Sequence, residues 1–332
     1  MSTGVNVDDV VTSLGAYSRK ASKDIRSATL GEVQITKYFR TVTDVDDEYF
    51  LQHSITDRVV MGFNSEWQEK GETKFKPNLV KAFHFKVNFG FKPSVVWKSY
   101  LSYLANEKLD MVQYPLSKYI MEVEMAKTIN RDRDYVMGRG QYNAATYDTV
   151  FGTANDGINE KLRQGIADGT MFKVNLPVFT SSNRVSGVEA FARAIPIELR
   201  DMMDAIFMST SDLDAYKQDY RSTYGQNMDY SKDGLVKEYF TGIPLVGLNN
   251  LQSGRLWTTY PENRVRVVNK TDQPILTDIQ KVDYKVKLFY EWFEGIGFHI
   301  NQHVIVSVPN TGGYASGIAS DADIYYVNGN PS

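Results

Sequence analysis

One stretch constrains this chain more than any other. Between residues 83 and 91, Phe83, Phe85, Val87, Phe89 and Phe91 alternate with His84, Lys86, Asn88 and Gly90. Successive side chains of a strand point to opposite faces, so the pattern places every large apolar group on one face. Such a strand has to lie against something apolar. Upstream, residues 31–41 also read as a strand. The stretch 42–79 is polar, with the acidic run Asp44, Asp46, Asp47 and Glu48 and a tip around Gly62 to Gly71. Together, residues 31–92 read as an extended loop made of a long two-stranded excursion. A lone hairpin is marginal in water, so another subunit is expected to supply the surface it rests on. Phe63, Trp67 and Phe75 lie in it with no evident internal partner, and exposed aromatics at that density mark an interaction surface.

The chain then turns helical. Residues 94–105 read as a helix after Pro93 ends the strand. A longer one starts at Pro115, which suits a first helical position. Leu116, Tyr119, Ile120, Val123, Ala126 and Ile129 form a stripe at helical spacing. About 22 residues at about 1.5 Å each make a rod of roughly 33 Å, longer than a small core requires. Gly138 and Gly140 stop it; because they follow a helix and not a strand, they do not resemble a phosphate loop. Its end carries Arg131, Asp132, Arg133 and Asp134. Exposed ion pairs contribute little, but at a subunit contact such charges set register and partner choice. These four and the three aromatics are the expected contact residues.

Further on, Asn155 or Asp156 is positioned to cap a helix carrying Ile158, Leu162 and Ile166. Ser186 and Glu189 match a capping box, Pro196 opens a short helical segment, and 206–208 read as a buried strand. Ser211 or Asp212 caps a helix whose Leu213, Tyr216 and Tyr220 share a face. Residues 243–248, 255–259 and 263–269 read as short strands. From 282 to 293 Val282, Tyr284, Val286, Leu288, Tyr290 and Trp292 alternate again, Gly295 and Gly297 break the pattern, and 303–309 resume it. Residues 1–30 are small, polar and weakly patterned, an N-terminal arm expected to wrap a neighbour. Residues 310–332 are a Gly/Ser-rich tail.

Composition excludes several classes of chemistry. With no cysteine, disulfides, thiolate metal sites and cysteine nucleophiles are ruled out. The 37 basic residues against 40 acidic ones leave a net charge of −3, without the basic excess of a nucleic-acid reader. Neither a signal peptide nor a stretch of roughly 20 apolar residues is present. Of the four histidines, His299 and His303 have a metal-ligand spacing if helical, but their context is β-like and lacks an obvious third ligand. The acidic run lacks the glycine and terminal glutamate of an EF-hand. Motifs for phosphate loops, serine nucleophile elbows or zinc proteases are missing. A carboxylate-based hydrolase is the alternative from a different class, since 40 acids offer many pairs, yet nothing selects one. No catalytic, cofactor or metal residue is assigned.

Three features together carry a resemblance. One is the order of polar arm, strand excursion and long helix. Another is TINRDRDYVMGRG (128–140) followed by DGINEKLRQGIADG. The last is IPIELRDMMDAIFMSTSDLDAYKQDYR (195–221), through IPLVGL, to VDYKVKLFYEWFEGIGFHINQHVIVSV (282–308). They resemble the major capsid proteins of tailed bacteriophages, the Hong Kong 97-type α+β shell fold shared with herpesvirus floor domains and encapsulins. The resemblance implies an extended loop at 31–92 and a peripheral domain with a spine helix at 93–140, completed by 280–309. It implies an axial domain at 141–279. It implies self-assembly into hexamers and pentamers of an icosahedral head that encloses double-stranded DNA without reading its sequence. It also implies assembly in the bacterial cytoplasm, no membrane, and portal and decoration proteins as partners; an encapsulin-like compartment is the alternative. Many relatives begin with a long helical scaffolding segment. Only about 30 residues precede the excursion here, so a separate scaffolding protein is expected.

Overall fold

The computed structural model describes residues 6–56, 59–112, 114–225, 235–269, 275–312 and 316–318. Two helices come first, α1 (Val7–Lys20) and α2 (Ser22–Leu30), then three short or medium strands, β1 (Arg40–Val42), β2 (Glu48–Thr56) and β3 (Thr73–Lys81). Next are β4 (Phe83–Phe91), α3 (Pro93–Glu107), α4 (Leu116–Lys118), a π-helical stretch Tyr119–Met125, and α5 (Ala126–Arg139). The chain continues through α6 (Ile158–Ala167), β5 (Phe172–Leu176), α7 (Arg184–Arg193), α8 (Ile197–Arg200), β6 (Ile206–Ser209) and α9 (Thr210–Tyr224). It closes with β7 (Leu245–Leu248), β8 (Trp257–Thr258), β9 (Arg264–Val268), β10 (Leu276–Val282), β11 (Lys285–Phe298) and β12 (Ile305–Pro309).

The strand foreseen at 83–91 has those bounds, but it is not part of the excursion. β4 pairs antiparallel with β11 from Phe91↔Val286 to Phe83↔Glu294. The other edge of β11 is shared by β10 and β9, and β1 pairs parallel with β9. The apolar face of this sheet packs on the long helix, where Tyr119, Ile120, Met125 and Ile129 meet Val286, Leu288, Tyr290 and Trp292. That burial holds β4 to the body of the protein. The second sheet runs β5-β12-β8-β6-β7, and its faces are covered by α6 on one side and by α7 and α9 on the other. Thus β9, from the stretch assigned to the axial unit, completes the first sheet, and β12, assigned to the peripheral unit, sits in the second.

Residues 7–30 correct the reading of an unpatterned arm. Asn6 caps α1 by accepting from the N–H of Asp8. Val10, Leu14, Ala21 and Ile25 are buried against the helix-and-sheet core. Their helical spacing is masked by the small residues between them. Two caps also move. Ser209, not Ser211 or Asp212, accepts from the N–H at the start of α9. Ser186 lies inside α7, where its hydroxyl donates to the Asn183 carbonyl, so the capping box does not form. Of the tail, residues 310–312 and 316–318 are described: Gly317 bridges Lys173 and Ile318 is buried in the second-sheet core, while residues 313–315 and 319–332 lie outside the described residues.

Gly295 and Gly297 do not end β11, which continues to Phe298. They let another strand cross it. A Cβ on Gly295 would stand 2.0 Å from the Lys81 carbonyl oxygen, and one on Gly297 2.7 Å from a Val80 methyl. Gly295→Ala is therefore expected to destabilise the subunit by about 1–3 kcal/mol or more through overpacking. Gly90→Ala, whose Cβ would meet nothing closer than 3.9 Å, is expected to stay within about 0.5 kcal/mol. Thermal melts of the two variants check this; equal melting temperatures would remove the crossing argument.

Candidate contact surface

β2 and β3 form the excursion, a hairpin with rungs from Glu48↔Lys81 to Thr56↔Thr73. Its root is held in the fold. Val45, Leu51, Val80 and Ala82 pack with Val265 and Val267, and Asn78 donates its amide to the Phe298 carbonyl at 2.7 Å. Away from the root that support ends. Rungs Phe50↔Leu79 and Ser54↔Phe75 bring Phe50, Leu79 and Phe75 to one face, and all three are exposed, Phe75 by 64%. Beyond the paired strands, Phe63 is 100% and Trp67 86% exposed. The three expected aromatics thus share one projecting element. Phe50 and Leu79 join them, and strand alternation at 48–56 and 73–81 is the signal that could have found them. A monomer that exposes this much apolar surface on one hairpin presents a binding face.

The helix end divides the four expected charges. Arg131 and Asp132 pair with each other at 3.0 Å on the surface. Arg133 is turned inward, a correction to its expected place among contact residues. Its guanidinium makes a two-pronged pair with Glu294 at 2.8 and 2.6 Å and also donates to the carbonyls of Thr29 and Gly31. Asp134 is likewise used internally, accepting from Ile35 N–H and the Asn250 amide. Neighbouring helical positions are turned by about 100°, so a run of four charges cannot share one face. Arg266 adds a second guanidinium to Glu294 at 2.8 Å, and the Trp292 indole N–H donates to it as well. Burial alone would push the Glu294 carboxyl up, but Arg133 and Arg266 outweigh it and hold it at about 2. Burial pulls the Arg266 guanidinium down. This triad ties together α5, β9, β11 and the end of α2, and nothing in the local sequence announces it.

The remaining candidates have structural places. The acidic run turns on Asp44, whose φ is 67°, and is pinned by Val45 N–H to the Val268 carbonyl. His84 stacks on Phe293 with centroids 4.3 Å apart. Among the described residues no group of three His, Cys, Asp or Glu side chains is placed to hold a metal, and no helix is long and apolar enough to cross a membrane.

No family model matches the sequence, and no curated protein matches it either. Solved structures do match. A chain of the satellite phage P4 procapsid, in a structure that includes the size determination (Sid) protein, is 13% identical with a TM-score of 0.53 over 87% of this chain and 98% of that one. A chain from the capsid of Myoviridae phage XM1 is 9% identical with a TM-score of 0.50, over 82% of this chain and 90% of that one. A chain of Mycobacterium phage Adephagia gives 12% identity and a TM-score of 0.50, covering 83% and 90%. At such identities the likeness is one of fold: this chain has the α+β architecture found in phage capsid structures.

Proposed function

We propose that this chain is the shell-forming subunit of a tailed-phage head. Copies of it assemble into hexamers and pentamers of an icosahedral wall that encloses double-stranded DNA in the virion without reading its sequence. The observation that carries this reading is the hairpin at 48–81, rooted in the body and exposing Phe50, Phe63, Trp67 and Phe75, on a fold found in phage capsids. In the division of labour that follows, the hairpin reaches over a neighbour and the first sheet with its long helix forms the peripheral wall. The second sheet with its helices faces the ring axes, and α1 and α2 brace the wall. Arg131 and Asp132, exposed at the helix end, belong to a lateral contact. The chain acts by assembly and not by catalysis: many weak symmetric contacts add up because closure makes each one intramolecular. A separate scaffolding protein, a portal and decoration proteins are the expected partners.

Negative-stain microscopy and sedimentation of the purified protein, alone and with molecular crowding, test the reading. Rings or closed shells are expected. A strictly monomeric protein under all these conditions would overturn it, and shells filled with protein cargo instead of DNA would redirect it to an encapsulin-like compartment.

A further inference from the structure

Three of the four histidines meet where the hairpin joins the body, His53 from far upstream and His299 and His303 four positions apart. His53 on β2 lies edge-on to His299, with ring centroids 6.1 Å apart. His303 follows on the same connection, its Nδ1 3.1 Å from the Tyr260 hydroxyl. Residues 299–303 carry the chain from β11 of the first sheet to β12 of the second. Asn78 of β3 clasps this connection through the carbonyls of Phe298 and His299, at 2.7 and 3.3 Å. From the other side Asn263 donates to the Ile300 carbonyl at 2.9 Å and accepts from the Ile300 N–H at 2.6 Å. Hairpin, first sheet and second sheet therefore join at one cluster of imidazoles.

We propose that His53, His299 and His303 form a proton-operated latch: neutral, they pack the hairpin root onto the junction of the two sheets, and protonated, they repel and release it. The geometry supplies the opposition to charge. His299 Nε2 is buried with no hydrogen-bond partner among the described residues. Burial lowers the affinity of His303 for a proton, and the nearby His53 and His299 lower it further, to a pKa of about 4. The groups facing the cluster are His53 from β2, Tyr260 from the segment before β9, and Glu262, whose charge acts on Tyr260. A released His303 imidazole regains the ordinary value of about 6.5. The open form thus binds more protons between about pH 6.5 and pH 4. Opening is suppressed above that window, rises as pH falls through it and levels off below. The latch rests on the fold alone and stands whether or not the protein forms shells.

Hydrogen exchange on the full-length soluble chain, corrected for intrinsic rates, tests it at pH 7.5 and 4.5. The opening constant of residues 48–56, 73–81 and 298–304 is expected to rise by about 50- to 100-fold on acidification, while residues 172–176 and 206–209 in the second sheet keep their protection. His299→Gln with His303→Gln should retain neutral-pH protection and cut that rise below about tenfold. If the double variant does not fold, proton NMR titration of the wild-type rings decides. A His303 that titrates well below the others supports the latch; three ordinary titrations overturn it. So would an unchanged wild-type protection at pH 4.5, or a double variant with the wild-type rise.

Discussion

Glu294→Ala is expected to destabilise the subunit by about 3–5 kcal/mol, because it strands two buried guanidinium groups. Arg133 and Arg266 have side chains only 2% and 4% exposed, and that of Glu294 is not exposed at all, so water cannot take over the lost partner. Urea unfolding of the soluble chain measures the loss; a change under about 1 kcal/mol would show that the triad is not a structural tie. Arg133→Glu should be worse, since it opposes two carboxylates, and it should fail as a folding defect and not as an assembly defect. Replacing all three residues with apolar side chains of similar volume should recover much of the loss. Recovery stays partial because the carbonyls of Thr29, Gly31 and Leu30 lose their donors. The triad also sets an acid limit. A carboxyl held at about 2 when folded and near 4.3 when unfolded binds fewer protons in the folded state. Its stabilisation is fully present above the unfolded value and is lost as pH falls from there towards 2, amounting to about 3 kcal/mol.

The second large effect concerns assembly. Removing residues 57–72 and joining Thr56 to Thr73, the last paired rung, by an Asn-Gly turn, which suits a two-residue hairpin, should leave a soluble subunit with near-normal melting. Nothing else among the described residues packs on the exposed tip aromatics, so the fold loses no core. Closed particles should disappear, because a buried aromatic anchor at an interface is worth about 2 kcal/mol or more and the loss repeats at every copy. Phe63→Ser with Trp67→Ser should reproduce the defect without changing chain length. Sedimentation and electron microscopy read the outcome, and normal particles from the deletion would end the contact role of the hairpin.

What periodicity could express was legible in part. The alternation at 83–91, the apolar stripe from Leu116 to Ile129 and the short buried strand at 206–208 return in the structure. The alternation read over 282–293 holds only from Val286 to Trp292: Val282 ends β10, Tyr284 lies exposed in the turn that follows, and β11 runs on to Phe298. The hairpin strands were harder to see. Away from the root, most outward positions of β2 and β3 are polar or exposed, so their alternation carries little burial signal and reads as loop. Helices α1 and α2 were missed because a four-residue stripe of Val10, Leu14, Ala21 and Ile25 is thin beside the small polar residues around it.

The sequence by itself determined the strand at 83–91, the long helical stripe, and that a polar excursion bears exposed aromatics, because these follow from the spacing of side chains along a local backbone. Only the tertiary structure decided that Gly295 and Gly297 open a crossing for Lys81 and Val80. It alone decided that Arg133, in a run that looks like surface charge, faces Glu294 161 positions away, and that His53 meets His299. The reason is physical. Local spacing fixes a face, but whether a charge is buried or a ring is crowded depends on groups that only folding brings within a few ångströms.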